Sequence, residues 1–404
     1  MKTSDLSPDR QKLLVPLKEY PGASALVPPP PPRTLELKEI FGDVIRAHEA
    51  LGAVQAATSS LPNPNLVTRT LDRREAVRSS QIEGTSSDID QVLEYEATGS
   101  DDGLPRDVVV TLNYVKALQY GLQQVAISGA AAMDRTLIEM LHSHLMEGTD
   151  YKGTPGEFRQ RQNWIGGYRN IYDAKFVPPP HEYLGNCIAN LEELLRYAPS
   201  EEDQTEISIV IRMAIVHAQF ETIHPFIDGN GRVGRLLLPL MLFAEGYPPV
   251  YLAGFLKENQ QEYYDTLGAV QLRGEWVPWV RFLAEGVQVA ARETIQTAER
   301  LSTLLDQWKT LIRTSNVRRD ALPHRLPEYL IAHPVVTVRS IQEAFNTSFP
   351  TANAALNIMR ENGVVTPQTE RKRDRIFIAT DVISVLNSPH CSRPVNKFAA
   401  PPTI

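Results

Sequence analysis

The 404-residue chain is long enough for two or three domains with a substantial core, and its 42% hydrophobic and 22% charged content is that of an ordinary globular protein. A net charge of −7 argues against whole-molecule affinity for nucleic acid, though not against a local basic surface. Two cysteines, Cys187 and Cys391, exclude a disulfide framework and a cysteine-rich metal site, and fit a reducing compartment. No apolar run follows Met1, so no signal peptide is expected, and the longest apolar stretch, 236–244, is too short to span a bilayer. The expectation is a cytoplasmic protein with no membrane partner.

Residues 1–34 read as an extended, loop-like arm, stiffened by the five prolines Pro28 to Pro32 into a strap against the next domain. Apolar residues Leu37, Ile40, Phe41, Val44 and Ile45 then recur at helical spacing to about Ser60, with Pro62 and Pro64 closing that helix. Leu71 to Glu83 forms the next helix, stopped by Gly84. Ser79 and Glu83 are four apart and share a face. Alone, they read as a solvated helix end. Asp88 caps a helix to about Ala97, and further helices are expected over 107–128 and 134–146. Between Glu157 and Val177, aromatic and β-branched residues surround Gly166-Gly167, the texture of a β-hairpin. Helices over 181–197 and 206–221 follow.

The last of these delivers His224-Pro225-Phe226-Ile227-Asp228-Gly229-Asn230-Gly231-Arg232-Val233-Gly234-Arg235, which runs straight into the apolar segment Leu236 to Phe243. A Gly-rich loop that opens a buried helix presents free N–H groups and the positive end of a dipole to an anion. Gly229 and Gly231 let the backbone curl around an oxyanion without Cβ interference. Arg232 and Arg235, three apart, are cations at the wrong helix end by about 0.3–1 kcal/mol each. A polyphosphate reverses that sign and gives both guanidinium forks bidentate partners. Asp228 is a hard-oxygen ligand for Mg²⁺ shared with phosphate, and His224 suits a general base at neutral pH. Phe226 is read as the loop's apolar anchor.

This stretch resembles the Fic family signature, HxFx(D/E)GNGRxxR, with no position departing. The resemblance covers about residues 35–290. It implies adenylylation: AMP moves from ATP to a Ser, Thr or Tyr hydroxyl of a target protein and pyrophosphate leaves. His224 would be the catalytic base and Asp228 the Mg²⁺ ligand. Gly229, Asn230, Gly231, Arg232 and Arg235 would bind the phosphates. Gly231 matters because relatives that phosphorylate instead carry lysine there. Ser79 and Glu83-Gly84 match the family's inhibitory element (S/T)xxxE(G/N), whose glutamate pairs with the second motif arginine, here Arg235. The 157–177 hairpin resembles the family's flap, placing Trp164, Ile165 and Gly166 against the target by strand addition. Asn259 and Tyr263, on an expected helix over 257–270, resemble residues that line the nucleotide pocket. A core tyrosine pair, Tyr263 with Tyr264, is the competing reading.

A long helix is expected over 275–312, with Trp276, Trp279 and Phe282 facing the core. Residues 320–388 then read as helix, helix, helix and hairpin, a winged helix-turn-helix. Its helix over 351–362 and the basic tip Glu370 to Arg375 suit either DNA or a docking partner. The expected fold is mainly α: a Fic-type helical domain with a β-hairpin flap, plus this C-terminal unit. The expected divisions are an arm at 1–34, a helical region with the inhibitory helix at 35–110, the catalytic domain at 111–290, a connecting helix at 291–319, the winged unit at 320–388 and a disordered tail at 389–404. Other nucleotidyl transfer (such as UMP), removal of AMP by the same site, and a nucleotide-sensing DNA-binding regulator stay open. So do self-modification and a homodimer.

Overall fold

The structure is a computed structural model that describes residues 1–35, 38–59, 64–100, 102–167, 170–197, 207–315, 317–368 and 375–388. The N-terminal arm is more ordered than a loop. After α1 (Pro8–Gln11), strands β1 (Leu14–Pro16) and β2 (Ser24–Leu26) pair antiparallel, Leu14 opposite Leu26. The turn between them uses Gly22 at φ 86°, a left-handed conformation that glycine adopts without Cβ cost. The proline strap is then held by Gln219, whose side-chain amide donates to the Pro29 carbonyl at 2.7 Å.

Helices α2 (Phe41–Ser59) and α3 (Pro64–Ile82) follow. Pro64 opens α3 rather than closing α2, which suits proline because the first helical N–H has no intrahelical acceptor. A capping box of Asp88 and Gln91 starts α4 (Ile89–Thr98), and Gly99 ends it in the left-handed region. Next come α5 (Val108–Ser128) and α6 (Arg135–Met146), the latter capped by Asp134. The expected 157–177 hairpin is a correction. Among the described residues only one isolated bridge forms, Ile165 with Phe176, beside a 3-10 turn at Ile171–Asp173. Gly166 and Gly167 both take positive φ, 67° and 87°, which bends the chain out of any longer ladder. The arm packs on this region: Leu26 N–H donates to the Val177 carbonyl at 3.0 Å, and Leu17 and Ala25 bury against Ile171, Ala174 and Val177.

Helices α7 (Leu184–Leu195), α8 (Ile209–Ile223) and α9 (Asn230–Ala244) complete the centre. Every residue of α8 is buried, so its sequence shows apolar bulk rather than an amphipathic stripe. The single helix expected over 257–270 is split into α10 (Ala253–Glu258) and α11 (Gln260–Arg273) by Asn259, whose side-chain amide donates to the Phe255 carbonyl at 2.8 Å. The long α12 (Trp276–Thr314) packs along α2 and α8, and Trp279 donates from Nε1 to the Ala214 carbonyl at 2.8 Å.

Beyond it lie α13 (Leu326–Ala332), β3 (Val335–Thr337), α14 (Val338–Ala344), α15 (Phe349–Glu361), β4 (Thr366–Pro367), β5 (Ile376–Ile378) and α16 (Thr380–Leu386). The helices and hairpin keep the expected order. The additions are α16 and β3, the latter pairing with β5 to give a three-stranded sheet ordered β3-β5-β4. The basic tip up to residue 374 and the tail at 389–404 lie outside the described residues. Helix α13 packs on α3, so the C-terminal unit rests against the helix that carries Ser79.

Candidate active site

The motif begins where α8 stops. His224 caps that helix at φ 49°, ψ 60°, a left-handed conformation rarely taken by a non-glycine residue. Something must hold it there, and that is Arg159. Its buried guanidinium donates to backbone carbonyls of His224 (2.9 Å), Arg161 (3.2 Å) and Pro179 (2.6 Å), and the Arg159 backbone N–H donates to the Pro225 carbonyl at 2.9 Å. Burial without a carboxylate partner lowers its pKa to about 10. Asn163 adds bonds to the carbonyls of Phe226 (2.9 Å) and His224 (3.3 Å).

Phe226 is fully buried, the anchor expected, and lies flat on the His142 ring with centroids 3.7 Å apart. His142 accepts the Gly156 N–H at Nδ1 (2.9 Å), so its proton sits on Nε2 and is donated to the Asp228 carbonyl (3.1 Å). Burial lowers its pKa to about 4, which keeps that neutral form at physiological pH. Gly229 passes over the same ring. Its φ of 84° is a left-handed conformation that favours glycine, and a Cβ there would also displace the Met146 methyl, 2.2 Å away.

Helix α9 opens at Gly229. The Asn230 side chain turns back, accepting from Phe226 N–H (2.8 Å) and donating to the Phe226 carbonyl (2.9 Å). Its role is therefore to lock the loop, leaving its main chain rather than its amide for an anion. Arg232 is buried, its Nε has no hydrogen-bond partner among the described residues, and its Nη2 lies 3.6 Å from Asp228. Arg235 is 1% exposed: Nε donates to Ser79 Oγ (2.8 Å) and Nη2 to the Ser79 carbonyl (3.1 Å) and Glu83 Oε1 (2.6 Å). Burial opposes ionisation of Glu83, but the Arg235 guanidinium outweighs it and holds the carboxyl below its usual range. Glu83 Oε1 fills the space above Gly231, where a Cβ would approach it to 2.3 Å.

A cleft of about 700 Å³ is lined by Glu83, Glu221, His224, Gly231 and Arg235 together with Ile165 and Gly166, whereas Asp228, Asn230 and Arg232 are not among its lining residues. Tyr263 and Tyr264 also line it, but Asn259 does not. The Tyr263 hydroxyl is committed to the core, 2.8 Å from His217 Nε2. Trp164 stands edge-on to Tyr20 of the arm, at 6.3 Å between centroids. Burial lowers the His224 pKa to about 4, so its imidazole is neutral and able to accept a proton.

Among the described residues, no group of three or more His, Cys, Asp or Glu comes together as a metal cage. A Mg²⁺ shared with phosphates needs only one or two protein carboxylates. Asp228 fits that role. Its side chain is 72% exposed at the loop's mouth, and one oxygen is fixed by the Gly229 N–H. None of the described helices is long and apolar enough to cross a membrane.

Comparison with known proteins matches the same regions. Residues 41–123 match the Fic/DOC family N-terminal profile and residues 132–242 the Fic/DOC family profile. Protein adenylyltransferase fic-1 of Caenorhabditis briggsae is 34% identical over 125 residues, 31% of this chain and 23% of that protein. Protein adenylyltransferase Fic of Drosophila yakuba is 31% identical over 176 residues, 43% of this chain and 32% of that protein. The chain thus spans about a quarter to a third of the length of these relatives. The crystal structure of a Fic family protein from Desulfovibrio desulfuricans G20 shares the fold, with TM-score 0.53 and 20% identity, over 86% of this chain and 98% of that one. A Fic domain containing signaling protein from Bacteroides thetaiotaomicron VPI-5482 does so with TM-score 0.51 and 19% identity, over 64% and 97%. The unbroken motif and the two profile matches agree: the chain carries a Fic/DOC N-terminal region at residues 41–123 and a Fic/DOC region at residues 132–242.

Proposed function

We propose that the protein is an adenylyltransferase, moving AMP from ATP to a hydroxyl of a target protein, and that Glu83 restrains it. The observation that carries this reading is the pairing of a neutral, buried base with an anion loop whose second arginine already holds a carboxylate. His224 takes the proton of the attacking hydroxyl. The α9 N-terminus, Arg232 and Arg235 bind the triphosphate and receive its developing charge. Asp228 would hold Mg²⁺, which supplies further charge neutralisation on the phosphates. Ile165 and Gly166, at the rim of the cleft, are suited to holding the target backbone beside the base.

The test is incubation of the purified protein and its Glu83→Gly variant with labelled ATP, CTP, GTP and UTP and a cell lysate. Label from ATP on protein bands, absent with His224→Ala, is the expected result. A positioned base contributes about 10²–10⁴ in rate, so the loss should be near complete. Labelling that survives in His224→Ala, or label from UTP instead, overturns the assignment of base or nucleotide.

A further inference from the structure

Glu221 is a buried acid that the mechanism above does not use. It lies on the last turn of α8, three residues before His224, and is 6% exposed. Its Oε1 has no hydrogen-bond partner among the described residues. The seat for that oxygen is made by Gly234 of α9, where a Cβ would stand 2.6 Å away. A carboxyl oxygen left bare in a protein interior costs about 1–3 kcal/mol or more, so a purely structural acid would normally be paired.

One other orphan lies beside it. Nδ1 of His224 is also buried without a hydrogen-bond partner, and it is 3.8 Å from Glu221 Oε2. The other carboxylates near the base are committed or exposed: Glu83 is held by Arg235, and Asp228 is at the mouth of the loop. Arg159, bonded to the His224 carbonyl, is close enough that its guanidinium opposes a positive charge on the imidazole.

We propose that Glu221 is a positioning residue: its carboxyl oxygen accepts a hydrogen bond from Nδ1–H of His224, fixing the ring so that Nε2 is the base. The move needed is about 1 Å, from the 3.8 Å seen to a normal hydrogen bond. In the step it serves, the acceptor O–H bond breaks and its proton goes to Nε2. The acceptor oxygen bonds the α-phosphorus, and the bond to pyrophosphate breaks with its electron pair leaving on pyrophosphate. Burial raises the Glu221 carboxyl to about 8, so in the resting protein it is neutral. Its carbonyl oxygen accepts a hydrogen bond in that form, which is why glutamine can replace it.

The inference rests on the adenylyl-transfer reading for its kinetic consequence but not for its structural one, so two measurements are paired. The first is ¹⁵N NMR of histidine-labelled full-length protein, with the His224 signals assigned by loss in His224→Ala. The wild type and Glu221→Gln should show a protonated Nδ1 and a bare Nε2, while Glu221→Ala should show a mixture of tautomers. The same tautomer in all three overturns the proposal. The second is labelled-ATP transfer in the Glu83→Gly background. Glu221→Ala should lower kcat about 10–100-fold, less than loss of the base itself, with KM for ATP moved less than about twofold, and Glu221→Gln should restore kcat to within about threefold. Unchanged kcat in Glu221→Ala, or equal kcat and KM losses in both variants, overturns it. If the Glu83→Gly parent transfers no AMP at all, the adenylyl-transfer reading fails, and the tautomer still decides the Glu221–His224 assignment.

Discussion

Glu83 and Arg235 stand 152 positions apart in the chain and meet at 2.6 Å, the carboxylate oxygen of one on the guanidinium Nη2 of the other. The contact does more than pair charges. The same Glu83 oxygen occupies the space over Gly231, the position left open by the absence of a Cβ. An outer phosphate reaching for Arg235 must therefore displace both a charge and a volume. Replacing Glu83 with glycine removes both. The expected outcome is a higher rate of AMP transfer, self-labelling included, without tighter overall ATP binding, because the gain is in placing the α-phosphate for in-line attack. Steady-state labelling alongside ATP binding by calorimetry checks it. An unchanged or lower rate means that Glu83 is not a brake.

Arg235 holds α3 as well as Glu83, through two bonds to Ser79. Arg235→Ala should abolish transfer, and adding Glu83→Gly should not rescue it, since the phosphate needs the same fork. The single variant also leaves Glu83 beside the cleft without its cation and releases α3 from α9. Its Tm should fall by more than that of Glu83→Gly. A double variant with activity near the Glu83→Gly level would remove Arg235 from phosphate binding.

Part of this site is legible in the sequence because it depends on residue types at fixed local spacing. Two glycines, two arginines and an apolar run specify an anion loop on a buried helix without reference to the rest of the chain. His142, Arg159 and Asn163 are not legible that way, since what they bind is backbone from distant segments. His142 leaves one faint trace: it falls on the apolar stripe of α6 with Ile138, Leu141 and Leu145. The overestimated hairpin shows the converse. Its apolar and aromatic residues suit strands, but two consecutive left-handed glycines and the Asn170-capped turn decide the backbone there. Asn259 likewise divides what periodicity reads as one helix: its backbone, at φ −112° and ψ 35°, leaves the helical region, and its side chain adds a second bond to the Phe255 carbonyl.

Arg159 carries the left-handed turn at His224, so its loss should cost stability and catalysis together. Hydrogen bonds from a charged donor contribute about 1.5–3 kcal/mol each, and Arg159 makes several to otherwise buried carbonyls. Arg159→Ala should destabilise the fold by about 3–5 kcal/mol, and Arg159→Lys should recover only part of it, because an ammonium cannot span the same fork. Urea unfolding measures the first effect. At temperatures where Arg159→Lys remains folded, its kcat should still be lowered, because the base's backbone is no longer clamped. A lysine variant with full activity would show that the turn holds without the fork.

The buried acid Glu221 also predicts how stability varies with pH. Burial raises its carboxyl to about 8 in the folded protein, whereas in the unfolded chain it titrates near 4.3. Between those values the folded state binds one proton more than the unfolded state at this site, so its contribution to stability is present at low pH and is lost as pH rises toward 8. The buried histidines act in the opposite direction. His142 and His224 are held at about 4 and His217 at about 3, so the unfolded chain binds more protons below about 6.5 and stability falls as pH drops through that range. Wild type and Glu221→Gln share those histidines, so their effect largely cancels in the difference between the two proteins. Glutamine keeps the shape and does not titrate. The Tm of Glu221→Gln minus that of wild type should therefore become steadily more positive from pH 5 to pH 8, measured by calorimetry at constant ionic strength. A difference that stays flat across that range would mean that Glu221 ionises in the folded protein at its ordinary pKa.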